Sequence, residues 1–553
     1  MRLQHYQHTS HPLFAADYRL GKTGALERFD FLPAPSALTE RVRWLDEPNR
    51  PQAPREAVVE ALRAYNRTYN DVPQVHHSLD LLQDSGTLAV VGGQQAGLFT
   101  GPLLVIYKAL TLIQCAKAYE TLLRRPVVPL FWIAGEDHDW DEVNHTFVLN
   151  SQPATVKIAV KGPAAETGAR HPVSRKPLSP SEWVEALEAL AAALPDTEFK
   201  PELMDKLRRF GTSDEPITLT STFARTMSML FGAYGLVLLD SDDPLLRRVE
   251  ASFFEQLVQH NRDLQGAIRS GERAMTSSGY PLQAEAPPDS LHLFYVDPDG
   301  RKLLFRDPSG DGALDRRGTL RLSREQLTQT AANEPEKLSN TALTRPLMQE
   351  YLLPTLATVL GPSEIAYWGV LKEAFHMFGM RMPAIVPRLE FTVLEGTVQK
   401  QMEKLGLSFE EASERLEQAR DEWLKSQDEL GLEERFAEVK QKFSDQYRPL
   451  VELVASINPG LRKLGETNLG KIEEQIEFLQ SKSLDALKAQ HETGLRHWER
   501  IRLTMKPNDK PQERVLNVCY YLARYGPAWL DRMVELPAFR IDEETPPHWV
   551  VYM

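Results

Sequence analysis

A single segment, from Thr87 to Ile133, constrains the fold of this chain most strongly. It begins with the largely apolar run Thr87-Leu88-Ala89-Val90-Val91, passes through a glycine-rich turn from Gly92 to Pro102, and then stays mainly apolar to Leu123. A second continuous apolar run follows from Val127 to Ile133. Two buried strands joined by a long helix form a β-α-β unit, in which the strands lie parallel. The segment therefore predicts an α/β fold built on a Rossmann-like parallel sheet.

Other runs extend this alternation of strands and helices. Residues Gly235 to Asp240 have the pattern of a buried strand, and Pro244 to Gln259 that of an amphipathic helix behind it. Pro129 lies within the apolar run at 127–133, and proline cannot donate a hydrogen bond to a neighbouring strand. We therefore expect that strand to lie near the edge of the sheet.

The rest of the sequence divides the chain into segments of different character. A Rossmann-like core is predicted over residues 1–395, with a helical lead-in at 1–85 and insertions at about 150–219 and 278–343; a coiled-coil domain follows at 396–507, and a C-terminal segment at 508–553 is expected to pack back on the core. In the second insertion, apolar runs at 293–296 and 303–306 flank Asp297-Pro298-Asp299-Gly300 and predict a β-hairpin.

Charged and apolar residues interleave over more than a hundred positions after Glu395. Apolar residues recur there at intervals of three and four, as in helices that pack along a seam: Phe436, Val439, Phe443, Tyr447, Leu450, Val454 and Ile457, and then Leu469, Ile472, Ile476 and Leu479. Asn458-Pro459-Gly460 separates the two series. We expect two antiparallel helices joined at that turn, with charged faces that are solvated flanks rather than a binding surface.

Composition excludes several classes of function. The chain has 64 Lys and Arg against 77 Asp and Glu, a formal net charge of -13, which repels nucleic acid and anionic lipid. The N-terminus has no apolar segment of signal-peptide length, and no later run approaches the roughly 20 residues of a spanning helix. Cys115 and Cys519, the two cysteines, are too few for a disulfide framework or a Cys-based zinc site. A soluble protein of the reducing cytoplasm is expected.

The turn between the first predicted strand and its helix has the composition of an anion-binding site. Its glycines allow backbone N–H groups to approach a ligand, and the helix beginning near Pro102 presents its positive end there. The candidate residues are Gly93, Gln94, Gln95, Gly97, Thr100, Gly101 and, about two turns along the helix, Lys108. The spacing matches neither the P-loop nor the dinucleotide fingerprint. The alternative is a tight turn with a purely structural role.

Five carboxylates and two imidazoles follow the second predicted strand, between Gly135 and His145. In parallel sheets, ligands bind at this carboxyl end of the strands. Asp137, His138 and Asp139 have oxygen and nitrogen ligands suited to a divalent metal ion. His138 is also suited to general acid-base catalysis, with an acidic neighbour to orient its ring. The alternative is a helix N-terminus enriched in carboxylates by its dipole.

A third group of candidate residues lies in two stretches, Ser339 to Pro346 and Gly361 to Trp368. The Arg345 guanidinium is a permanent cation that can pair with a carboxylate or phosphate. The aromatic side chains of Tyr367 and Trp368 offer a face to a sugar or base. The residues are Asn340, Arg345, Glu364, Tyr367 and Trp368. The alternative is an ordinary surface ion pair with core aromatic residues.

Together these stretches resemble the BshC family, the cysteine ligases of bacillithiol synthesis. The resemblance rests on GGQQAGLFTGPLLVIYKA, WIAGEDHDWDEVNH and NTALTRPLMQEYLLPTLATVLGPSEIAYW, and on the long helical arm after them. It extends over essentially the whole chain. The resemblance implies a Rossmann-like core with two connecting-peptide insertions, a coiled-coil arm that promotes homodimer formation, and ligation of the cysteine carboxyl to the amine of glucosaminyl malate in the cytoplasm.

The family is also similar in architecture to class I adenylate-forming enzymes, which suggests ATP and Mg²⁺ as cofactors. This chain has neither an H-x-G-H signature nor a KMSKS-like loop. We expect the glycine-rich turn to bind a phosphate or the substrate carboxylate, with Lys108 and Arg345 as charge partners. His138 is expected to accept the amine proton, while Asp137 or Asp139 orients it or holds a magnesium ion.

Two other functions remain open from the sequence. The first is a metal-dependent hydrolase that uses the Asp137-His138-Asp139 cluster. The second is a non-catalytic scaffold, in which the helical arm docks other proteins of the pathway and the pocket senses a metabolite.

Overall fold

The fold is taken from a computed structural model that describes residues 1–6, 11–150, 154–162, 170–212, 216–283, 285–541 and 548–553. The gaps between these ranges fall in the predicted lead-in, both predicted insertions and the C-terminal segment. Those parts of the predicted segments therefore lie outside the described residues.

The strands are β1 Arg2–Tyr6, β2 Leu88–Gln94, β3 Val127–Ile133, β4 His145–Leu149, β5 Thr155–Ala159, β6 Val237–Asp240, β7 Ser290–Asp297, β8 Gly300–Arg306, β9 Gly312–Asp315, β10 Arg321–Ser323, β11 Leu338–Asn340, β12 Thr355–Leu360, β13 Ala384–Pro387, β14 Phe391–Leu394 and β15 His548–Tyr552.

The helices are α1 Leu13–Arg19, α2 Thr23–Leu26, α3 Pro35–Leu45, α4 Arg55–Tyr69, α5 Pro73–Gln83, α6 Leu103–Leu123, α7 Trp140–Val143, α8 Pro180–Ala193, α9 Lys200–Arg209, α10 Leu219–Phe231, α11 Pro244–Gln259, α12 Asn261–Ser277, α13 Arg324–Asn333, α14 Arg345–Leu352, α15 Pro362–Trp368, α16 Lys372–Met377, α17 Gly396–Leu405, α18 Phe409–Glu414, α19 Leu416–Ser426, α20 Leu432–Ile457, α21 Leu461–Gln490, α22 Glu492–Met505, α23 Val518–Tyr525 and α24 Ala528–Glu535.

A five-stranded parallel sheet with the order β13-β12-β2-β3-β6 forms the centre of the larger unit. When these five strands are numbered in chain order and read from β6, their order is 3-2-1-4-5, as in Rossmann folds. This order confirms the predicted fold class. The chain reverses its direction of travel across the sheet between β2 and β12. Ligands in such folds bind in the crevice at the carboxyl ends of the two strands that flank this point.

The predicted β-α-β unit is confirmed in β2, α6 and β3. Every residue of β3 is buried, and α6 buries most of its length, because both faces of a parallel sheet are covered by helices. Strand β3 lies between β2 and the edge strand β6, which agrees with the expectation from Pro129 of a strand near the edge. Pairing with β6 begins at Leu130, so Pro129 lies just before the shared part of that ladder.

A second sheet, with the order β10-β9-β8-β7-β11, is antiparallel and comes from the predicted insertion at 278–343. Its β7 and β8 pair as a hairpin, which confirms the hairpin prediction. The short strand β11 pairs with β7, so that Ser339 and Asn340 lie opposite Phe294 and Leu293. The loop after β11 leads directly into α14.

The two ends of the described chain meet in a third sheet. Strand β15 pairs antiparallel with β1 and lies between β1 and β14. Contacts between Cα atoms group residues 510–553 with residues 1–393 as one compact unit. The C-terminal segment thus belongs to the core unit.

Residues 394–509 form the second compact unit. Its helices α20 and α21 are joined at Asn458-Pro459-Gly460, as predicted, and Lys440 pairs with Glu477 while Arg462 pairs with Glu452. These pairs show that the helices are antiparallel. Among the described helices of both units, none is long and apolar enough to cross a membrane.

Candidate functional site

A cavity of about 430 Å³ lies at the carboxyl end of the parallel sheet, beside the point where the strand order reverses. The loops after β2 and β3, the helix after β12, and the second sheet all contribute to its wall. It is lined by Gly93, Gln94, Gln95, Trp132, Ala134, Glu136, Asp137, His138, Phe294, Arg301, Asn340, Thr341, Ala342, Arg345, Glu364 and Tyr367. Segments that are far apart in sequence thus converge at the location where Rossmann-like folds bind ligands.

The glycine-rich turn contributes only its first residues to this wall. A Cβ on Gly93 would lie 2.3 Å from the carbonyl oxygen of Trp132, so only glycine fits between β2 and β3 there. Gln95 Nε2 donates to Asp137 Oδ2 at 2.6 Å and to Glu142 Oε2 at 2.9 Å. These bonds connect the loop after β2 with the loop after β3.

The later part of the turn is directed away from the cavity. Thr100 is fully buried, and Gly97 and Gly101 approach each other closely enough to exclude a side chain at Gly97. The amide of Asn517 donates to the carbonyl oxygens of Phe99 and Gly101. The first N–H of α6, on Leu103, donates to the carbonyl of Leu516 at 2.8 Å. The C-terminal segment therefore occupies the position where we expected an anion, and Gly97, Thr100 and Gly101 do not line the cavity.

Lys108 is 1% exposed and lies behind the cavity wall, not in it. Its Nζ donates to the carbonyl of Gly93, to Gln94 Oε1 and to Glu364 Oε2, at 2.7, 3.1 and 2.6 Å. Burial lowers the pKa of this ammonium, and the Glu364 carboxylate opposes that shift. Because protein atoms already accept from all three of its N–H groups, Lys108 fixes the ends of β2 and α15 instead of projecting toward a phosphate.

Asp137 and His138 line the cavity, whereas Asp139 does not. Asp139 is the N-cap of α7, and its side chain accepts from the backbone N–H of Glu142. This placement agrees with the alternative that the helix dipole explains part of the acidic cluster. In the described part of the chain, no three His, Cys, Asp or Glu side chains are grouped so as to hold a metal ion.

Arg301, on β8 of the predicted hairpin, is a site residue that no sequence pattern indicates. Its Nη1 lies 3.1 Å from His138 Nδ1, its Nε donates to Ser339 Oγ, and its Nη2 donates to the carbonyl of Asn340. The guanidinium also lies 3.8 Å from the centre of the Phe294 ring. In sequence, Arg301 is one of several charged residues in a β-hairpin. Only the pairing of β7 with β11 and the approach of the loop after β3 make it part of the site.

Glu136 is a second residue that the sequence did not single out. Its Oε2 accepts from Arg247 Nη2 at 2.6 Å, from Ser339 Oγ at 2.6 Å and from the backbone N–H of Asn340 at 3.1 Å. Arg247 is fully buried and also bonds to Glu250, whose pKa burial raises to about 7. The Glu136 carboxylate, held by Arg247, thus connects the end of β3 to Ser339 and Asn340 of β11. A carboxylate directly after a buried strand is the signal that could have identified Glu136.

Asn340, Arg345 and Tyr367 form the opposite side of the cavity, with Glu364 beside them. Asn340 is 2% exposed, and neither atom of its side-chain amide has a hydrogen-bond partner among the described residues. Arg345 donates to Gln349 Oε1 and lies 5.7 Å from the Trp132 ring, and no carboxylate of the described chain is within 4.0 Å of it. Trp368 is fully buried against Phe375 and does not line the cavity.

The charges in this wall are unevenly paired. Glu364 is neutralised by Lys108 and Glu136 by Arg247, so the Arg345 guanidinium is a cation that can pair with a carboxylate or phosphate of a ligand. The unsatisfied amide of Asn340 offers both a donor and an acceptor to the same ligand. The arrangement is suited to an anionic small molecule that also has hydrogen-bonding groups.

Comparison with known proteins covers nearly the whole chain. Residues 1–389 match the family model for the "Bacillithiol biosynthesis BshC, N-terminal Rossmann-like domain", and residues 391–552 match that for the "C-terminal coiled-coil domain" of the same family. A relative from Geobacillus sp., named "Putative cysteine ligase BshC", is 37% identical over 525 residues, which are 94% of this chain and 95% of the relative. Relatives of the same name from Geobacillus thermodenitrificans and Bacillus cytotoxicus are 39% and 36% identical, each over 87% of this chain and 88% of the relative.

Proposed function

The chain belongs to the BshC family, and from this membership we propose that it is a cysteine ligase of bacillithiol biosynthesis. The proposed reaction joins the carboxyl group of cysteine to the amine of glucosaminyl malate. Both domains of the family are represented, and relatives with that name match over most of their own length. The observation that carries the proposal within the site is the Arg345 guanidinium beside the unsatisfied Asn340 amide, because both substrates carry carboxylates.

Amide formation from a free carboxylate requires activation, because a carboxylate is a poor electrophile and an ammonium is not a nucleophile. ATP would supply the phosphoryl or adenylyl group that converts the cysteine carboxylate into an electrophile. The residues of the cavity fit such an anionic ligand: Arg345 provides an available cation, and Asn340 and Gln94 provide neutral hydrogen-bonding groups. We therefore place nucleotide and substrate in this one cavity.

The described residues do not form a protein cage for Mg²⁺. Magnesium is commonly held by one or two carboxylates together with the phosphates of a nucleotide, so a metal ion that arrives with ATP does not need a three-ligand group. Asp139 already caps α7. No step of the proposed reaction is assigned to a metal ion.

The ammonium of the acceptor must lose a proton before its nitrogen attacks the activated carbonyl carbon. Of the three carboxylates in the described cavity wall, Glu136 and Glu364 are held by Arg247 and Lys108. Asp137 is 31% exposed and faces the cavity beside His138, and its contact with Arg301 Nη1 at 3.6 Å is longer than the 2.6 Å contacts of the two glutamates. We assign to Asp137 the role of accepting this proton, which leaves a neutral amine as the nucleophile.

No specific observation favours either of the other two functions. A metal-dependent hydrolase would need ligands around Asp137 and His138, and the described residues gather no such group. A scaffold that senses a metabolite would use the same cavity groups as a ligase, and formation of the amide product distinguishes the two functions.

We also propose that the protein is a homodimer held by its helical arm, and that it acts in the cytoplasm. Large apolar side chains on the arm are exposed by more than half of their surface, including Leu453 and Ile457 at 61% and 78%. Such side chains are typical of a surface that a partner covers. A reducing compartment preserves the thiol of substrate and product.

The test of this function is incubation of the purified chain with cysteine, glucosaminyl malate, ATP and Mg²⁺. Mass spectrometry should detect the amide product, and its formation should require all three substrates. The nucleotide product identifies the activation step, since AMP with pyrophosphate indicates an adenylate and ADP with phosphate indicates an acyl phosphate. ATP consumption without amide product, or neither reaction in folded protein, would overturn the proposal.

A further inference from the structure

The ring of His138 has an arginine side chain near each of its two nitrogens. Arg301 Nη1 is 3.1 Å from its Nδ1, and an arginine guanidinium can only donate hydrogen bonds. Arg170 Nη1 lies at a longer 3.5 Å from Nε2, so the shorter contact identifies Nδ1 as the unprotonated nitrogen that accepts a hydrogen bond. In the neutral imidazole the proton is then on Nε2.

The surroundings of the ring favour this neutral form. Burial and the positive charge of Arg301 lower the pKa of His138, and the charge of Arg170 acts in the same direction. The carboxylates of Asp137 and Asp139 oppose the shift, with Asp137 Oδ1 at 3.7 Å from Nδ1. The ring also packs against the uncharged ring of Phe294, in an edge-to-face arrangement with the ring centres 5.9 Å apart.

The Nε2 atom has no acceptor of its own within the described residues. Among the described residues, Nη1 of Arg170 lies 3.5 Å from Nε2 and is also a donor. The ring is 19% exposed and lines the cavity. A protonated Nε2 in the cavity wall is therefore available for an oxygen atom of a ligand.

Arg301 is itself fixed by a chain of hydrogen bonds that ends in the buried core. Its Nε donates to Ser339 Oγ, and Ser339 Oγ donates to Glu136 Oε2. Glu136 in turn accepts from Arg247, which is fully buried. The guanidinium of Arg301 is 5% exposed and is also stacked on Phe294. Such a network holds a side chain in place better than isolated contacts do.

We propose that His138 acts as a neutral hydrogen-bond donor, through Nε2–H, to a substrate oxygen that gains negative charge, and that Arg301 is the positioning residue that fixes this tautomer. The role replaces the proton-accepting role expected from the sequence, because Arg301 occupies the lone pair which that role requires. No proton is transferred in this step: the N–H bond stays intact while the tetrahedral oxygen forms and collapses. The proposal rests on the proposed ligase function.

Variants of His138 separate a donor from a base. His138→Gln places an amide N–H near the position of Nε2 but cannot take up a proton, whereas His138→Ala has neither property. A donor role predicts that His138→Gln retains kcat within about tenfold of wild type, while His138→Ala loses about 100- to 1000-fold in kcat. If His138→Gln is folded and as inactive as His138→Ala, the donor role is overturned.

The role of Arg301 is tested by the pH profile. Without Arg301, His138 Nδ1 is free to protonate, so Arg301→Met should acquire an acid limb of kcat that starts at a higher pH than in wild type. The double variant Arg301→Met with His138→Gln should lack this limb. A merely structural arginine would lower the rate equally at every pH, and that result would contradict the positioning role.

The tautomer can be read without an activity assay. In full-length protein labelled with ¹⁵N-histidine, the resonances that disappear in His138→Gln identify the ring. The inference predicts an unprotonated Nδ1 and a protonated Nε2 at neutral pH, and the reverse assignment would overturn it. If wild-type protein forms no amide, the proposed function fails, and this spectrum still decides the tautomer.

Discussion

The ammonium of Lys108 and the carboxylate of Glu364 meet at 2.6 Å, across the point where the strand order of the parallel sheet reverses. Lys108 is on α6, which follows the first strand of the sheet along the chain, and Glu364 is in the first turn of α15, which follows the fourth. Glu364 Oε2 also accepts from the backbone N–H of Gly361 at the start of α15. One ion pair thus sets the separation of the two elements that flank the cavity.

The contributions of Lys108 and Glu364 to stability should be coupled. Lys108→Met leaves the Glu364 carboxylate without its cation and the Gly93 carbonyl without the Lys108 donor, so we expect a loss of about 3 kcal/mol in the free energy of unfolding. The double variant Lys108→Met with Glu364→Gln should lose at least about 1 kcal/mol less than the sum of the single variants. Urea denaturation provides the measurement, and strict additivity would contradict the coupling.

Removing the available cation should weaken substrate use without unfolding the protein. Arg345→Ala removes a charged donor from the cavity, and such bonds contribute about 1.5–3 kcal/mol, so kcat/KM for amide formation should fall by roughly 10- to 100-fold. Arg248→Ala, at an exposed position of α11, is the matched control and should keep the wild-type value. Equal rates for Arg345→Ala and the control would remove Arg345 from the binding site.

Asn517 should be essential for the stability of the buried turn. It donates to the carbonyls of Phe99 and Gly101, and its side chain caps α23 at Cys519. The turn also contains two non-glycine residues with positive φ, Phe99 and Thr100, which are costly unless the surroundings hold them. We expect Asn517→Ala to lower the free energy of unfolding by about 2–4 kcal/mol.

The control for that experiment is Asn49→Ala, at an exposed position. A surface substitution of this kind should change the free energy of unfolding by less than about 0.5 kcal/mol. Thermal or urea unfolding compares the two variants directly. If they are equally stable, the C-terminal segment does not hold the turn.

A buried histidine should make the protein less stable in mild acid. Burial and the charge of Arg269 lower the pKa of His292 to about 4, from an ordinary value near 6.5. Between these values the unfolded chain binds a proton that the folded chain does not, so the free energy of unfolding falls as pH falls. The expected loss from this group is about 2 kcal/mol between pH 8 and pH 5.

His292→Asn removes this titration, and asparagine tolerates the positive φ of 55° at that position. The free energy of unfolding, measured in urea at pH 8, 6 and 5, should therefore depend less steeply on pH in the variant. Parallel curves for variant and wild type would mean that His292 does not titrate differently in the two states.

Charge placed on the exposed apolar face of the arm should dissociate the proposed dimer. Leu453→Glu combined with Ile457→Glu puts two carboxylates one helical turn apart on α20. Light scattering after size exclusion should show a dimer for wild type and for the polar control Gln446→Glu, and a monomer for the double variant. A wild-type monomer, or a double variant that remains dimeric, would contradict the proposal.

The sequence of the arm predicted its architecture better than its packing. The turn at Asn458-Pro459-Gly460 and the two helices are as expected. The buried positions of α20 are Ser444, Val451 and Ala455, whereas the predicted seam residues Leu450 and Ile457 are exposed. Gly465 packs directly on Val451, which shows that small residues bring the helices together. Periodicity identifies apolar stripes but not which stripe faces the neighbouring helix.

The sequence by itself determined the local elements of this protein. Continuous apolar runs at β2 and β3, and the long α6 between them, follow from side chains that are neighbours along the chain. The apolar pattern does not distinguish the short strand β12, although its residues from Thr355 to Leu360 are all buried. The same local information predicted that Asp137 and His138 would lie at the carboxyl end of a strand.

Only the tertiary structure decided which of the candidate residues share a cavity. Arg301 reaches His138 across 163 residues of sequence, and Asn517 fills the buried turn from 416 residues away. Lys108 points at Glu364 because α6 and α15 pack at the same end of the sheet. Such contacts depend on the order of the strands and on how the separate sheets pair. Both are fixed by the packing of the whole core, so no local sequence pattern specifies them.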